Sequence, residues 1–151
     1  MGEGGPGDEK GEVAAAVAGR YLLDASALYP LVLRLRETLL AYTGLFAALD
    51  LTVYEVGNVI WKEHRRGRIR DPLVVARLFR EVLGVMQVIS LRDRLPEIAE
   101  LATSENLTFY DASYLYAARA HRMKLVTEDS DLQRFPESIS VEQLLKELQG
   151  A

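Results

Sequence analysis

Short apolar runs alternate with longer stretches of helical periodicity from Tyr21 onward. The short runs YLL, VMQVIS and KLVT have the length of buried strands, and LFAALDL is a further strand or an extended connector. Whole predicted helices separate these runs, and a strand needs such a crossover to pair in parallel with its neighbour. The pattern therefore predicts the α/β class, with a three-layer α/β/α arrangement and a parallel sheet of four or five strands.

Capping residues and prolines set the predicted helix boundaries. We expect helices over about 31–42, 53–66, 72–83 and 95–105, one that begins at Asp111, and one near the C-terminus. The second helix has Thr52 as its N-cap and Glu55 three residues later, which is the spacing of a capping box. Val53, Val56 and Ile60 form its expected buried stripe. Glu55 then stands beside this stripe and faces a cleft.

The composition narrows the class of protein. The chain of 151 residues contains no cysteine, which excludes thiol catalysis, disulfides and thiolate metal sites. A chain without cysteine does not depend on the redox compartment, so we expect a cytoplasmic protein. Its apolar runs are too short to cross a bilayer, so we expect no membrane partner. Residues 1–19 are predicted to be a flexible leader, followed by one domain over 20–151. A net charge of -4 argues against nucleic-acid binding through the overall field, unless a bound cation reverses the local sign.

Four carboxylates are expected to meet at the carboxyl edge of the sheet. Asp24 ends the first strand, and Asp129 follows the KLVT strand closely. Glu55 and Asp111 stand in the first turns of their predicted helices, where the helix dipole favours an ionised acid. Such acids repel one another, and a hard cation such as Mg²⁺ or Mn²⁺ relieves that repulsion and supports phosphodiester hydrolysis. Taken singly, Glu55 and Asp111 are better explained by structural roles, as a capping-box partner and as a helix-start acid.

Four segments give these acids a more specific context. The chain contains, in this order, LLDASAL, TVYEVGNVIWK, TFYDASYLYAA and KLVTEDSDL. They resemble the four sequence blocks of the PIN-domain family, and the short chain resembles its VapC toxins, over about residues 21–141. The resemblance implies a PIN-like fold and a metal-dependent endoribonuclease whose catalytic metal ligands are Asp24, Glu55, Asp111 and Asp129. It also implies an RNA substrate, a homodimer and a small antitoxin protein that occupies the site.

Neighbouring residues complete the predicted site. By the same resemblance, Ser26 and Thr127 match the small hydroxyl positions that support the acids, and Asn58 follows Glu55 by one helical turn. Asp131 is a fifth acid and joins the predicted metal ligands. The last ligand stays open among three closely spaced acids, with a preference for the second and then the third: Glu128, Asp129 and Asp131.

Basic and aromatic residues are candidates for RNA contacts. The segment KEHRRGRIR is the densest basic run, and its candidate RNA-binding residues are Lys62, Arg65, Arg66 and Arg68. A solvated helix end whose cations complement the helix dipole explains the same run equally well. Aromatic side chains stack on bases in many RNA-binding proteins, but helical spacing is more typical of core or dimer contacts for Trp61, Tyr42, Tyr110, Tyr114 and Tyr116.

Two other functions compete with the ribonuclease. A catalytically inactive PIN-like module that binds RNA or acts as a scaffold has the same fold, but it has no need of four acids. A phosphatase or receiver-type phosphotransfer domain requires either a second aspartate two residues after the first or a phosphoacceptor aspartate at the end of a central strand with a lysine partner. Ser26 occupies the first position, and the VMQVIS strand ends in Ser90 with Asp93 too far on. The sequence therefore favours the metal-dependent ribonuclease of a toxin-antitoxin pair.

Overall fold

Five parallel strands form one sheet in the computed structural model, which describes residues 20–150. The strands are β1 (Tyr21–Leu23), β2 (Phe46–Leu49), β3 (Gln87–Ile89), β4 (Lys124–Val126) and β5 (Ser138–Ile139). Their order is β3-β2-β1-β4-β5, and in the register Tyr21 pairs with Phe46 on one side and with Lys124 on the other. The chain thus winds outward in both directions from β1. This reversal creates a crevice at the carboxyl ends of β1 and β4.

Helices cover both faces of the sheet. They are α1 (Ala25–Leu35), α2 (Asp50–Arg65), α3 (Pro72–Gly84), α4 (Leu95–Glu105), α5 (Phe109–His121), α6 (Ser130–Gln133) and α7 (Val141–Gly150). Alternate strand residues point to opposite faces, so Tyr21 and Leu23 pack with α1, α2, α3 and α7, while Leu22 packs with α5 and α6. The predicted three-layer α/β/α fold with a parallel sheet is confirmed.

Two predicted helix starts are wrong at the edge that carries the acids. Helix α1 begins at Ala25 with Asp24 as its N-cap and contains Pro30, where the sequence pattern placed the start near Leu31. It gives way after Leu35 to the 3₁₀ segment Arg36–Ala41. Helix α5 begins at Phe109, because the Thr108 side chain rather than a later residue caps it. Both corrections place the acids Asp24 and Asp111 at helix N-termini that face the crevice.

Helix α2 begins one turn earlier than predicted, at Asp50. Thr52 is not its N-cap: the hydroxyl of Thr52 lies inside the helix and accepts a hydrogen bond of 3.0 Å from the backbone N–H of Leu49. Val53 is 46% exposed, so its assignment to the buried stripe is also wrong. The buried positions of this helix are Thr52, Val56 and Ile60. The earlier start leaves the Glu55 side chain without its predicted capping role.

Two further predictions concern the ends of the chain and the membrane. The predicted leader over 1–19 lies outside the described residues, so the domain boundary at residue 20 stays a prediction. Among residues 20–150, none of the helices combines the length and the apolar character that a membrane span requires.

Candidate active site

Asp24 is the most deeply buried acid of the site, with 5% of its surface exposed. It directly follows β1 and accepts a 3.0 Å hydrogen bond from the backbone N–H of Ala27 as the N-cap of α1. The hydroxyl of Ser26 donates to its Oδ1 at 2.6 Å, and the hydroxyl of Thr127 donates to its Oδ2 at 2.5 Å. Hydroxyl and amide donors therefore offset part of the cost of burying this carboxylate.

The two hydroxyls also join the start of α1 to the loop after β4. Ser26 Oγ accepts a hydrogen bond of 2.9 Å from the backbone N–H of Glu128, and Thr127 Oγ1 accepts one of 3.0 Å from the backbone N–H of Asp129. Each hydroxyl thus donates to Asp24 and accepts from the loop. This arrangement fixes the backbone that carries Asp129 relative to the Asp24 carboxylate.

Three carboxylates converge on the open side of the crevice. Oxygen atoms of Asp111, Asp129 and Asp131 all lie within 4.8 Å of one another. Asp111 comes from the first turn of α5, and Asp129 caps α6 by accepting a 2.8 Å hydrogen bond from the backbone N–H of Asp131. Among residues 20–150, none of the five predicted metal ligands forms an ion pair with a Lys or Arg side chain.

Glu55 reaches the site from α2 and is held there by Tyr114. The hydroxyl of Tyr114 donates to Glu55 Oε1 at 2.5 Å, and it lies 2.7 Å from the hydroxyl of Thr52. Sequence reasoning missed both partners, since Thr52 was assigned to a helix cap and Tyr114 to the core. The available signal was spacing: Thr52 precedes Glu55 by three residues and Tyr114 follows Asp111 by three, so each lies one turn from an acid.

Burial and mutual repulsion raise the pKa values of three acids. Burial is the main cause for Asp24, whose pKa rises to about 6, and the hydroxyl hydrogen bonds oppose the rise. Burial, then repulsion from Asp129 and Asp24, raises the pKa of Asp111 to about 6. The pKa of Glu55 is raised by burial, with further repulsion from Asp111 and Asp129, against the hydrogen bond from Tyr114. Each of the five acids, Asp131 included, therefore repels at least one of the others.

The donor set fits a hard divalent cation. Mg²⁺ and Mn²⁺ prefer carboxylate oxygens, and a cation among these acids would remove the repulsion that raises their pKa values. Of the three candidates for the last ligand, Asp129 and Asp131 lie in the cluster. The Glu128 carboxylate instead accepts a 2.9 Å hydrogen bond from the backbone N–H of Val141 at the start of α7. Asn58 is exposed, one turn beyond Glu55 on α2.

The basic run lies away from the acid cluster. Arg65 stands ten residues beyond Glu55 on α2, which is about 15 Å along the helix axis. Its guanidinium lies 5.2 Å from the centre of the Trp61 ring. Arg66 and Arg68 pair with Glu63 at 3.4 and 3.2 Å, and Lys62 is exposed. The structure therefore does not bring these cations to the acids, and part of their charge is already neutralised.

Comparison with known proteins decides the family. The sequence profile of the PIN domain matches residues 21–138. The chain belongs to the PIN-domain family. This PIN domain is 40% identical over 129 residues to the exonuclease VapC9 of Pyrobaculum aerophilum, covering 85% of the chain and 95% of the relative. It is 36% identical over 91 residues to the ribonuclease VapC3 of the same organism, covering 58% of the chain and 70% of the relative.

Solved structures agree with this assignment. The PIN domain superposes on the crystal structure of PAE2754 from Pyrobaculum aerophilum with a TM-score of 0.77 and 38% identity, over 90% of this chain and 92% of the other. A toxin-antitoxin complex from Klebsiella pneumoniae matches with a TM-score of 0.58 and 21% identity, over 80% and 97% of the two chains, and supports the fold alone. The resemblance of the sequence to PIN domains of the VapC type is confirmed.

Proposed function

We propose that this PIN domain is a VapC-type nuclease that hydrolyses phosphodiester bonds of RNA with Mg²⁺ or Mn²⁺. One observation carries the proposal: the carboxylates of Asp111, Asp129 and Asp131 converge within 4.8 Å, next to Asp24 and Glu55, with no cationic side chain to neutralise them in residues 20–150. The names of the two curated relatives, an exonuclease and a ribonuclease, point to the same class of reaction.

Each side chain has a defined part in this proposal. Asp24, Glu55, Asp111, Asp129 and Asp131 would hold the cation, which when bound supplies positive charge that stabilises the phosphate in the transition state and acidifies water. Ser26 and Thr127 hold both oxygens of Asp24 and the backbone of the loop that carries Asp129. These supports keep the oxygen ligands in place before substrate arrives, so little reorganisation is needed during the reaction.

The substrate and partners extend the proposal. We assign RNA as the substrate, with exposed Arg65 and Lys62 as contacts to its backbone, and Asn58 as a supporting residue next to Glu55. A cytoplasmic homodimer controlled by a small antitoxin fits the relationship to VapC proteins. Internal cleavage of RNA is the proposed mode, and the exonuclease name of VapC9 makes cleavage from an end the mode to test against it.

A circular RNA separates the two modes. Purified protein with Mn²⁺ is expected to open a single-stranded RNA circle and to cut a linear RNA of the same sequence, and EDTA is expected to stop both reactions. Cleavage of the linear RNA alone would replace the proposed mode with an exonuclease. Failure to cut either RNA, together with an unchanged melting temperature at millimolar Mn²⁺, would overturn the proposed function and favour a PIN-like scaffold without turnover.

A further inference from the structure

A chain of four hydrogen-bonding groups crosses from the end of β2 to the acidic site. The backbone N–H of Leu49 lies 3.0 Å from Thr52 Oγ1, which lies 2.7 Å from the hydroxyl of Tyr114, which lies 2.5 Å from Glu55 Oε1. The last two contacts join α2 to α5 across 62 and 59 positions of sequence. The two helices that supply Glu55 and Asp111 are thus tied together beside the site.

The ends of this chain fix the direction of every proton. The N–H of Leu49 can only donate, so Thr52 Oγ1 accepts there, and the ionised Glu55 carboxylate can only accept, so the Tyr114 hydroxyl donates to it. The central contact must then use the remaining proton, and Thr52 donates to Tyr114. Each hydroxyl donates one bond and accepts one. The network has a single arrangement, which is a requirement for holding an acid in one orientation.

Both hydroxyl residues are sealed from solvent. Thr52 is 0% exposed and Tyr114 is 1% exposed, although each carries a polar group. Tyr114 lies among the apolar side chains that cover one face of the sheet, so packing fixes its ring as well as its hydroxyl. Burial of a hydroxyl costs free energy through desolvation, and only well-formed hydrogen bonds offset that cost. A phenylalanine would fill the same apolar space without that cost, which indicates that the hydroxyl itself has a purpose.

We infer that Tyr114, oriented by Thr52 and the backbone N–H of Leu49, is the positioning residue that holds the Glu55 carboxylate at the acidic site. This inference rests on the proposed function. The hydroxyl engages Oε1 of Glu55 and leaves Oε2 for a cation. Tyr114 does not touch the substrate, and it acts through Glu55.

The experiment compares variants that remove one hydroxyl each. Tyr114→Phe and Thr52→Val are expected to weaken Mn²⁺ binding, measured by calorimetry without RNA, by about 10- to 100-fold, the usual effect of losing a partner of a metal ligand. They are expected to lower kcat while leaving KM for RNA unchanged. Thr52→Ser keeps a hydroxyl and should restore Mn²⁺ affinity relative to Thr52→Val. The double variant should lose no more than the larger single loss, because both changes break one network.

The matched control lies at the other edge of the sheet. Tyr21 is 4% exposed, and its hydroxyl donates to Glu147 at 2.7 Å, so Tyr21→Phe removes the same type of bond away from the acids. It should keep the parental Mn²⁺ affinity and kcat. Parental Mn²⁺ affinity and kcat in folded Tyr114→Phe, or in folded Thr52→Val, would overturn the inference while the proposed function stands. A parent protein that binds no Mn²⁺ and cuts no RNA would instead overturn the proposed function.

Discussion

Two tyrosine–glutamate hydrogen bonds lie at opposite edges of the sheet, in opposite electrostatic surroundings. At the amino edge, Glu147 accepts from Lys124 at 2.9 and 3.0 Å and also from Tyr21, and these contacts lower its pKa. At the carboxyl edge, Glu55 accepts from Tyr114 at 2.5 Å, but burial and neighbouring acids raise its pKa. The protein supplies its own cation to the first glutamate. The second has acidic neighbours and a hydroxyl donor, and no Lys or Arg side chain of residues 20–150 pairs with it; under the proposed function, a bound cation balances its charge.

The largest effect is expected from Asp24→Asn at the carboxyl edge. The change keeps the shape of the side chain and removes a charge that 95% burial disfavours, so the fold should persist while RNA cleavage in Mn²⁺ falls by more than about 100-fold. Initial rates and melting temperatures measure the two effects. Glu147→Gln, at the amino edge, should keep the cleavage rate. A rate for Asp24→Asn within a factor of two of the parent would contradict the assignment of the site.

Thermal stabilisation by Mn²⁺ is the next largest expected effect. At a Mn²⁺ concentration about 100 times its Kd, mass action adds about 2.7 kcal/mol, which raises the melting temperature of a domain of this size by about 5–10 °C. Asp111→Asn combined with Asp129→Asn should remove this shift, because both carboxylates belong to the three-acid cluster. An equal shift in that double variant and in the parent would place the cation elsewhere. Scanning fluorimetry in Mn²⁺ and in EDTA measures the shift in melting temperature for both proteins.

A smaller effect is expected from pH in the absence of metal. The pKa values of Asp24 and Asp111 rise from 3.8 to about 6, so between these values the folded state keeps protons that the unfolded chain has released. Linkage then makes the free energy of unfolding decrease as pH rises through this window. Urea unfolding in EDTA measures the decrease. Asp24→Asn should make it shallower, whereas Glu147→Gln should not, and identical profiles for parent and Asp24→Asn would disprove the electrostatic account.

The smallest effect is expected from the basic run. Replacing Arg65 and Arg66 together with Ala should weaken binding of a single-stranded RNA and reduce the slope of log K against log salt by about 1.4, if each contacts one phosphate. Arg66 already pairs with Glu63, which lowers the expected change. Fluorescence anisotropy measures the affinity for RNA. Both proteins carry Asp24→Asn, which prevents cleavage during the titration. An unchanged slope of log K against log salt would mean that the basic run is exposed to solvent and does not contact RNA.

The sequence alone predicts the parallel sheet, and it predicts that the Asp24 carboxylate needs partners. An acid after a buried strand must find donors, and the structure gives it Ser26, Thr127 and the N–H of Ala27. The helix that carries Glu55 was harder to place. Thr52 satisfies the pattern of an N-cap as well as that of an internal residue, and the two are separated by the helix start at Asp50 and by the bond from the N–H of Leu49 to the Thr52 hydroxyl.

A local sequence pattern likewise could not identify which of the last acids faces the site. Glu128, Asp129 and Asp131 are equivalent as residue types, and their spacing does not say which way each side chain turns. The structure separates them through a contact with a later element, since Glu128 accepts from the N–H of Val141. Such choices depend on helix packing, which the periodicity of a single segment does not contain.

The order of the strands also bears on how the protein is made. The bond between Thr127 and Asp24 spans 103 positions, and the cluster of three acids is closed by Asp131. A growing chain on the ribosome therefore contains Asp24 well before it contains Asp131, which completes the acid cluster. Under the proposed function, the acid cluster cannot assemble on nascent chains that stop before Asp131, so cutting activity is expected only after this residue has left the ribosome.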